Sequence, residues 1–330
     1  MQTLARISAA AILIACALVA NAASPGTLLV LNKSDNTVSL VDLASKKSVA
    51  TIPTGSGPHE VAVSTDGRTA VVCNYGSQLS PGSTLTVIDI PARKASRTID
   101  LQQYRRPHGI AWLRGNEVAV TTEGSKTLLI VDVDAGKVTT AIETDQNGSH
   151  MVALAPKHDR AFVANIGSGS VSVIDLKTKQ RVANIPSGTG TEGIDVSPDQ
   201  REVWATNRGG DTVSIIDVAS SRIVATVDSK SFPIRAKFTD DGKHVLVSNA
   251  QSGDVAVFDA ASRREVRRIK MPSDASVPVG ILIVPTLSRA FVANTNADTV
   301  TVIDLKSWQI VDRLIAGKEP DGLGYSPLTL

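Results

Sequence analysis

Aromatic side chains, cysteine and net charge are all scarce in this sequence of 330 residues. Trp, Tyr and Phe together make up 3% of the chain, and 34 Lys and Arg against 32 Asp and Glu leave a net charge of only +2. A nearly neutral chain with so few stacking side chains is a poor candidate for dedicated nucleic-acid binding. Two Cys and five His remain for metal or redox chemistry. A hydrophobic content of 42% still indicates a globular fold.

Residues 1–23 have the pattern of a secretory signal peptide. Arg6 precedes an apolar run over residues 7–19, and small residues follow it. This run is shorter than the roughly 20 residues that a membrane-spanning helix needs. We therefore expect cleavage, a periplasmic or secreted protein, and no transmembrane segment after signal removal. A lipoprotein anchored through Cys16 is the alternative, although the residues after Cys16 stay apolar.

One motif recurs through the rest of the chain. A strand-like segment ending in Asp appears seven times, at spacings of 42 to 47 residues. The aligned aspartates are Asp42, Asp89, Asp132, Asp175, Asp217, Asp259 and Asp304. Each repeat contains four short apolar runs separated by turn signals, which at this repeat length is typical of a β-propeller blade. The sequence predicts an all-β fold, with one seven-bladed propeller of four-stranded antiparallel blades over residues 24–330.

The two ends of the chain complement each other. The first repeat lacks an innermost strand, whereas residues 320–326 match that strand with nothing following it. We therefore expect the C-terminal strand to join the N-terminal blade and close the ring. The repeated Asp is interpreted as a turn residue, because its short side chain can accept hydrogen bonds from the following backbone N–H groups.

When the seven repeats are aligned, each set of equivalent positions forms a column, and the most informative column lies at the entrance to the innermost strand. Around the ring it reads Asp321, His59, His108, His150, Glu192, Ile234 and Val279. Three of the five histidines thus fall on consecutive blades at one mouth of the central channel. Three interpretations stay open: they bond the adjacent backbone, they form a ligand or partner site, or His59, His108 and His150 bind zinc or copper. We predict no cofactor, with zinc or copper as the alternative.

Basic residues gather at the same mouth, in the loops that enter the innermost strands or follow the second strands. The candidates are Arg105, Arg106, Arg208 and Arg235, together with Tyr104, which precedes Arg105 in the same loop. A basic mouth that contains histidine suits a carboxylate or phosphate ligand, and a merely solvated loop surface is the alternative. We expect a monomer that binds an unknown protein or a small anionic ligand.

Three second-strand segments resemble the core motif of a known family. Residues 162–165, 204–207 and 291–294 read FVAN, WATN and FVAN, similar to the Tyr-Val-Thr-Asn core of the YVTN-repeat β-propellers. The resemblance covers residues 24–330 and implies an exported or surface-layer-type propeller without a defined activity. Nitrous oxide reductase and cytochrome d1 propellers are similar in architecture and carry redox cofactors. This sequence lacks the cysteine-rich copper motif and a CxxCH heme attachment, so those activities are not carried over.

These features favour a binding function over catalysis. We predict an exported propeller that acts as a ligand-binding, protein-binding or scaffold module through its channel-mouth face. The alternative is a metal-dependent hydrolase or lactonase-like enzyme, in which the three histidines hold the metal and Glu192 or Asp321 acts as the base.

Overall fold

The computed structural model describes residues 25–273 and 276–330. The signal peptide predicted at residues 1–23 lies outside this part of the chain. The described residues form seven four-stranded antiparallel sheets, which confirms the predicted seven-bladed propeller. Within the same residues no helix has the length and apolar character needed to span a membrane.

Four-stranded blades follow one another along the chain, and in blades 2 to 7 the first strand of each is the innermost. Blade 2 contains β4 (Pro58–Val63), β5 (Thr69–Gly76), β6 (Pro81–Asp89) and β7 (Lys94–Asp100). Blade 3 contains β8 (Pro107–Trp112), β9 (Glu117–Thr122), β10 (Thr127–Asp132) and β11 (Lys137–Glu143). Blade 4 contains β12 (Ser149–Ala155), β13 (Arg160–Asn165), β14 (Ser170–Asp175) and β15 (Gln180–Pro186).

The remaining blades repeat this order. Blade 5 contains β16 (Thr191–Val196), β17 (Glu202–Asn207), β18 (Thr212–Asp217) and β19 (Arg222–Asp228). Blade 6 contains β20 (Pro233–Phe238), β21 (His244–Asn249), β22 (Asp254–Asp259) and β23 (Arg264–Lys270). Blade 7 contains β24 (Pro278–Val284), β25 (Arg289–Asn294), β26 (Thr299–Asp304) and β27 (Ile310–Ile315). Short 3-10 turns lie at Pro156–His158, Pro285–Leu287 and Thr295–Ala297.

Blade 1 contains strands from both ends of the chain. Its order is β28 (Pro320–Ser326), β1 (Thr27–Asn32), β2 (Thr37–Asp42) and β3 (Lys47–Pro53). Leu29 of β1 faces Gly324 of β28 in this antiparallel ladder. The predicted closure of the ring by the C-terminal strand is therefore confirmed.

The repeated aspartates act as turn residues, as predicted. In all seven repeats the carboxylate accepts hydrogen bonds from backbone N–H groups two or three residues later, for example from Thr178 to Asp175 at 2.7 Å. These bonds favour the ionised carboxylate, so the pKa of Asp175 lies below its usual value. The Asp column therefore belongs to the scaffold and makes the tight turns between the third and fourth strands.

Neighbouring blades meet closely at their innermost strands, and glycine makes this approach feasible. A Cβ placed on Gly280 of β24 would lie 2.1 Å from the backbone oxygen of Asp321 in β28. No side-chain movement relieves such a contact, because the obstructing atom is backbone. The innermost strands therefore pack more closely here than a residue with a Cβ allows.

We expect Gly280→Ala to lower the free energy of unfolding by about 2 kcal/mol or more, since overpacking typically costs about 1–3 kcal/mol. Gly210→Ala is the matched control, because Gly210 is exposed and its nearest neighbouring atom lies 3.6 Å from the added Cβ. The control should change stability by less than about 0.5 kcal/mol. Urea unfolding measures both, and equal effects would contradict the close approach of β24 and β28.

Candidate functional site

A register shift at the start of the innermost strands shapes the mouth of the channel. The pairing of β4 with β5 is irregular between Pro58 and Val61, and the equivalent shift occurs in the innermost strand of every other blade. In a regular strand, successive side chains point to opposite faces. A bulge breaks this alternation and re-aims side chains, so the adjacent residues His59 and Glu60 both contribute to one site.

Four rings form a row from the surface into the channel. The ring centroids of His59 and Tyr75 are 4.5 Å apart, those of His59 and His108 are 5.0 Å apart, and those of His108 and His150 are 3.7 Å apart. The three histidines of the sequence column are thus neighbours in the structure. Tyr75, near the end of β5, extends their row toward solvent.

The outer two histidines are neutral. Burial lowers the pKa of His59. The charge of Asp321 and a 2.8 Å contact between His59 Nδ1 and the carbonyl of Gly57 act in the opposite direction but do not outweigh burial. Burial also lowers the pKa of His108, and the neighbouring His150 lowers it further. His108 Nδ1 is buried without a hydrogen-bond partner among the described residues, a condition that costs about 1–3 kcal/mol.

The innermost histidine is positively charged instead. His150 Nδ1 bonds Glu123, and its Nε2 lies 3.3 Å from Glu192 Oε1 in an ion pair that is not aligned as a hydrogen bond. Burial alone would lower the pKa of His150, but these two carboxylates outweigh it and raise the pKa to about 9. In return, the imidazolium and two arginines overcome the burial of Glu192 and lower its pKa to about 2.

Arg235 connects opposite sides of the channel. It is buried, and its Nη2 lies 2.6 Å from Glu60 Oε1 while its Nη1 lies 3.4 Å from Glu192 Oε1. Glu60 belongs to blade 2 and Arg235 to blade 6, so this ion pair spans the ring. Burial disfavours the charged guanidinium, but the surrounding carboxylates reverse this and raise the pKa of Arg235. The pair therefore links blades 2 and 6 across the channel.

A cleft of about 760 Å³ lies beside the histidine row and opens to solvent. His59 and Tyr75 line it together with two cations, Lys33 and Arg106. The Arg106 guanidinium carbon lies 4.9 Å from the centre of the Tyr75 ring, a cation–π contact. The rest of the lining is polar and consists of Ser34, Asn36, Ser56, Gly57, Gly76, Ser77 and Gln78.

The structure places three of the five predicted loop residues near the channel mouth and two of them elsewhere. Arg106 borders the cleft, and Arg208 bonds Glu192 at 2.9 Å. Arg235 was assigned to a loop, but it lies within β20 and is buried, because the bulge at Pro233 shifts the register there. Tyr104 packs against the apolar core between blades 2 and 3, and the exposed Arg105 bonds the backbone of Gln102. These last two residues are not brought into the histidine row.

Sequence reasoning missed Tyr75, Glu123, Lys33 and Glu60. A signal for three of them was present in the column that immediately follows the recurrent Asn of each second strand, replaced by Thr122 in blade 3. Around the ring it reads Lys33, Tyr75, Glu123, Ile166, Arg208, Ala250 and Thr295. Charged or aromatic residues in this column fall on blades 1, 2, 3 and 5, which either contain the histidines or adjoin the blades that do, and Thr295 adds a polar residue on blade 7. Glu60 had no such signal, since only the bulge in β4 turns it into the channel.

Structural comparison supports the architecture. The chain superimposes on a chain of Kuenenia stuttgartiensis hydrazine synthase with a TM-score of 0.71, covering 80% of this chain and 88% of that chain at 19% identity. At this identity the likeness shows the shared fold alone. No curated protein matches the chain in sequence.

The family comparison is more specific. Residues 97–286, which include β8 to β24, match the cytochrome D1 heme domain family. The absence of CxxCH is no obstacle to this match, because that motif attaches heme covalently, whereas a side chain can ligate heme iron without it. The match spans more than half of the sequence, and the chain therefore belongs to the cytochrome D1 heme domain family.

Proposed function

We propose that this propeller binds a heme-type tetrapyrrole in the channel-mouth cleft, with His59 as the iron ligand. The observation that carries the proposal is the state of His59. Its Nδ1 is held by the Gly57 carbonyl, its imidazole is neutral, and its Nε2 makes no hydrogen bond with the described residues. A neutral imidazole whose second nitrogen bonds a backbone carbonyl is the usual arrangement of a metal-ligating histidine.

The surroundings of His59 fit the other groups of such a ligand. Lys33 and Arg106 place positive charge on the cleft. Lys33 Nζ lies 3.8 Å from Glu319, whereas Arg106 has no carboxylate partner among the described ion pairs. Both cations can pair with carboxylates on the edge of a tetrapyrrole. Tyr75 offers a flat ring for stacking against a macrocycle. This arrangement also retains the anionic ligand expected from the sequence.

The cleft indicates reversible binding. Apart from Tyr75, its lining consists of polar, charged and glycine residues, so little apolar surface is available to cover the macrocycle. A bound heme would supply a redox-active iron. The chain's own residues would do three things: His59 binds, Lys33 and Arg106 orient the carboxylates, and the charged network around His150 and Glu192 holds the base of the site. The name of the matched family supports this ligand class.

Titration of the purified chain with hemin tests the proposal. We expect a shift of the Soret band that saturates at one hemin per chain, and His59→Ala should weaken binding by at least about 30-fold. His158→Ala is the matched control, because His158 is exposed on the opposite end of the propeller. Arg106→Ala should weaken binding by about tenfold without changing the spectrum of the saturated complex. Equal affinity of the wild type and His59→Ala would overturn the assignment.

We place this binding outside the cytoplasm, because the sequence of residues 1–23 is typical of a cleaved signal. Mass spectrometry of the exported chain tests this placement, since cleavage should leave a new N-terminus near residue 23. Retention of Met1 in the mature protein would contradict it.

A further inference from the structure

A second ligand set lies deeper than the cleft. One potential ligand atom from each of His108, Glu123 and His150 falls within 4.8 Å of the other two. His108 belongs to β8 and His150 to β12, and Glu123 follows β9. Both histidines are buried, and Glu123 is largely covered. The set combines two imidazoles with one carboxylate and excludes His59.

His108 provides an independent indication of a missing partner. Its side chain is buried, and its Nδ1 meets no donor or acceptor among the described residues. Its two neighbours in the set do have partners: His150 Nδ1 bonds Glu123, and Glu123 accepts a 2.6 Å hydrogen bond from Tyr75, although His150 Nε2 makes only the ion pair with Glu192. A buried polar atom without a partner requires an explanation. A bound metal ion would explain it, because the potential ligand atoms of Glu123 and His150 lie next to His108.

The groups behind these residues have the arrangement found around metal centres. The Tyr75 hydroxyl donates to Glu123 Oε2 and fixes the carboxylate. Glu192 lies 3.3 Å from His150 Nε2, so the opposite nitrogen of that ring is the one directed at Glu123. Carboxylate-backed histidines and hydrogen-bonded carboxylates are what hold ligands in place in such centres. Glu192 is itself fixed by Arg208 and Arg235.

We propose that His108, Glu123 and His150 bind one divalent transition-metal ion of the zinc class. Two imidazoles and one carboxylate are a ligand set that zinc accepts, with a water in the fourth position. Binding forms three metal–ligand bonds and releases to solvent the proton now shared by His150 and Glu123. No redox change is involved. The site is distinct from the heme cleft, because its ligands do not include His59.

The experiment is a titration of the purified, metal-stripped full chain with zinc by calorimetry, and with cobalt by visible absorption. We expect one ion per chain and a cobalt spectrum typical of nitrogen and oxygen ligands. His108→Ala should weaken zinc binding more than about 100-fold. Glu123→Gln is a second variant with the same expected loss, in case one of them folds poorly. Circular dichroism and thermal unfolding verify that each variant retains the propeller.

The controls separate this site from the heme cleft and from surface histidines. His59→Ala should lose hemin and keep zinc affinity within about threefold, whereas His108→Ala should lose zinc and keep hemin. His158→Ala should change neither affinity. The proposal is overturned if the wild type takes up no stoichiometric zinc or cobalt, if His108→Ala binds zinc as the wild type does, or if His158→Ala removes the binding.

Discussion

Deletion of residues 318–330 should abolish most of the stability of the whole propeller, and not merely loosen blade 1. The deletion removes β28, which is the innermost strand of blade 1 and contacts the innermost strands on both sides, β4 and β24. Opening the ring exposes two blade faces together with the apolar residues of β1, including Leu28 and Val30. We expect a loss on the order of 5 kcal/mol or more, which is comparable with the whole net stability of a domain.

A rearranged chain provides the control for this deletion. Ser326 pairs with Thr27 across the closing ladder, so residues 318–330 can be placed ahead of residue 25 without moving β28 in space. This permuted chain should recover near-wild-type thermal unfolding, because every sheet keeps its four strands. A truncated chain that melts at the wild-type temperature would show that β28 does not hold the ring closed.

Arg235→Met should produce the largest effect of any single substitution in the channel. It leaves Glu60 without its 2.6 Å partner and removes one of the cations around Glu192. Breaking a buried ion pair by removing one partner typically costs about 3–5 kcal/mol, because the other charge stays buried and uncompensated. Chemical denaturation of the variant and the wild type measures this loss.

Two further variants decide whether burial of the pair is the cause. Arg208→Met also removes a partner of Glu192, but 37% of the Arg208 side chain is exposed against 4% for Arg235. It should cost about 1 kcal/mol or less. Adding Glu60→Gln to Arg235→Met should restore part of the loss, since no unpaired charge then remains at Glu60. If Arg235→Met costs no more than Arg208→Met, the ion pair across the channel contributes little.

The repeat architecture could be predicted because its causes are local. The turns after Asp42, Asp175 and Asp304 each depend on hydrogen bonds to residues within three positions, so every repeat has the same signal in a short window. Strand alternation and turn chemistry then determine a blade. Closure of the ring could be predicted because the first repeat lacks an innermost strand and the C-terminal end of the chain has an additional one.

The candidate site could be predicted only in part, because its contacts are distant in sequence. The histidine column was visible, since one position recurs in each repeat. The contact between Arg235 and Glu60 joins residues 175 positions apart, and no local pattern reports it. The bulges add a second difficulty, because a single-residue shift in register changes which side chain enters the channel. The sequence column therefore contained Ile234, whereas the next residue, Arg235, makes the ion pairs across the channel.

The closing strand also determines when the site can first exist. The charge of Asp321 in β28 acts on His59 and opposes the lowering of its pKa by burial. Gly322, the next residue of β28, packs against the backbone of His59. These residues belong to β28 and are synthesised well after His59, which belongs to β4. During translation, at about 5–20 residues per second, the nascent chain carries the histidines long before it carries the strand that completes their surroundings. The proposed site around His59 is therefore complete only in chains that include β28.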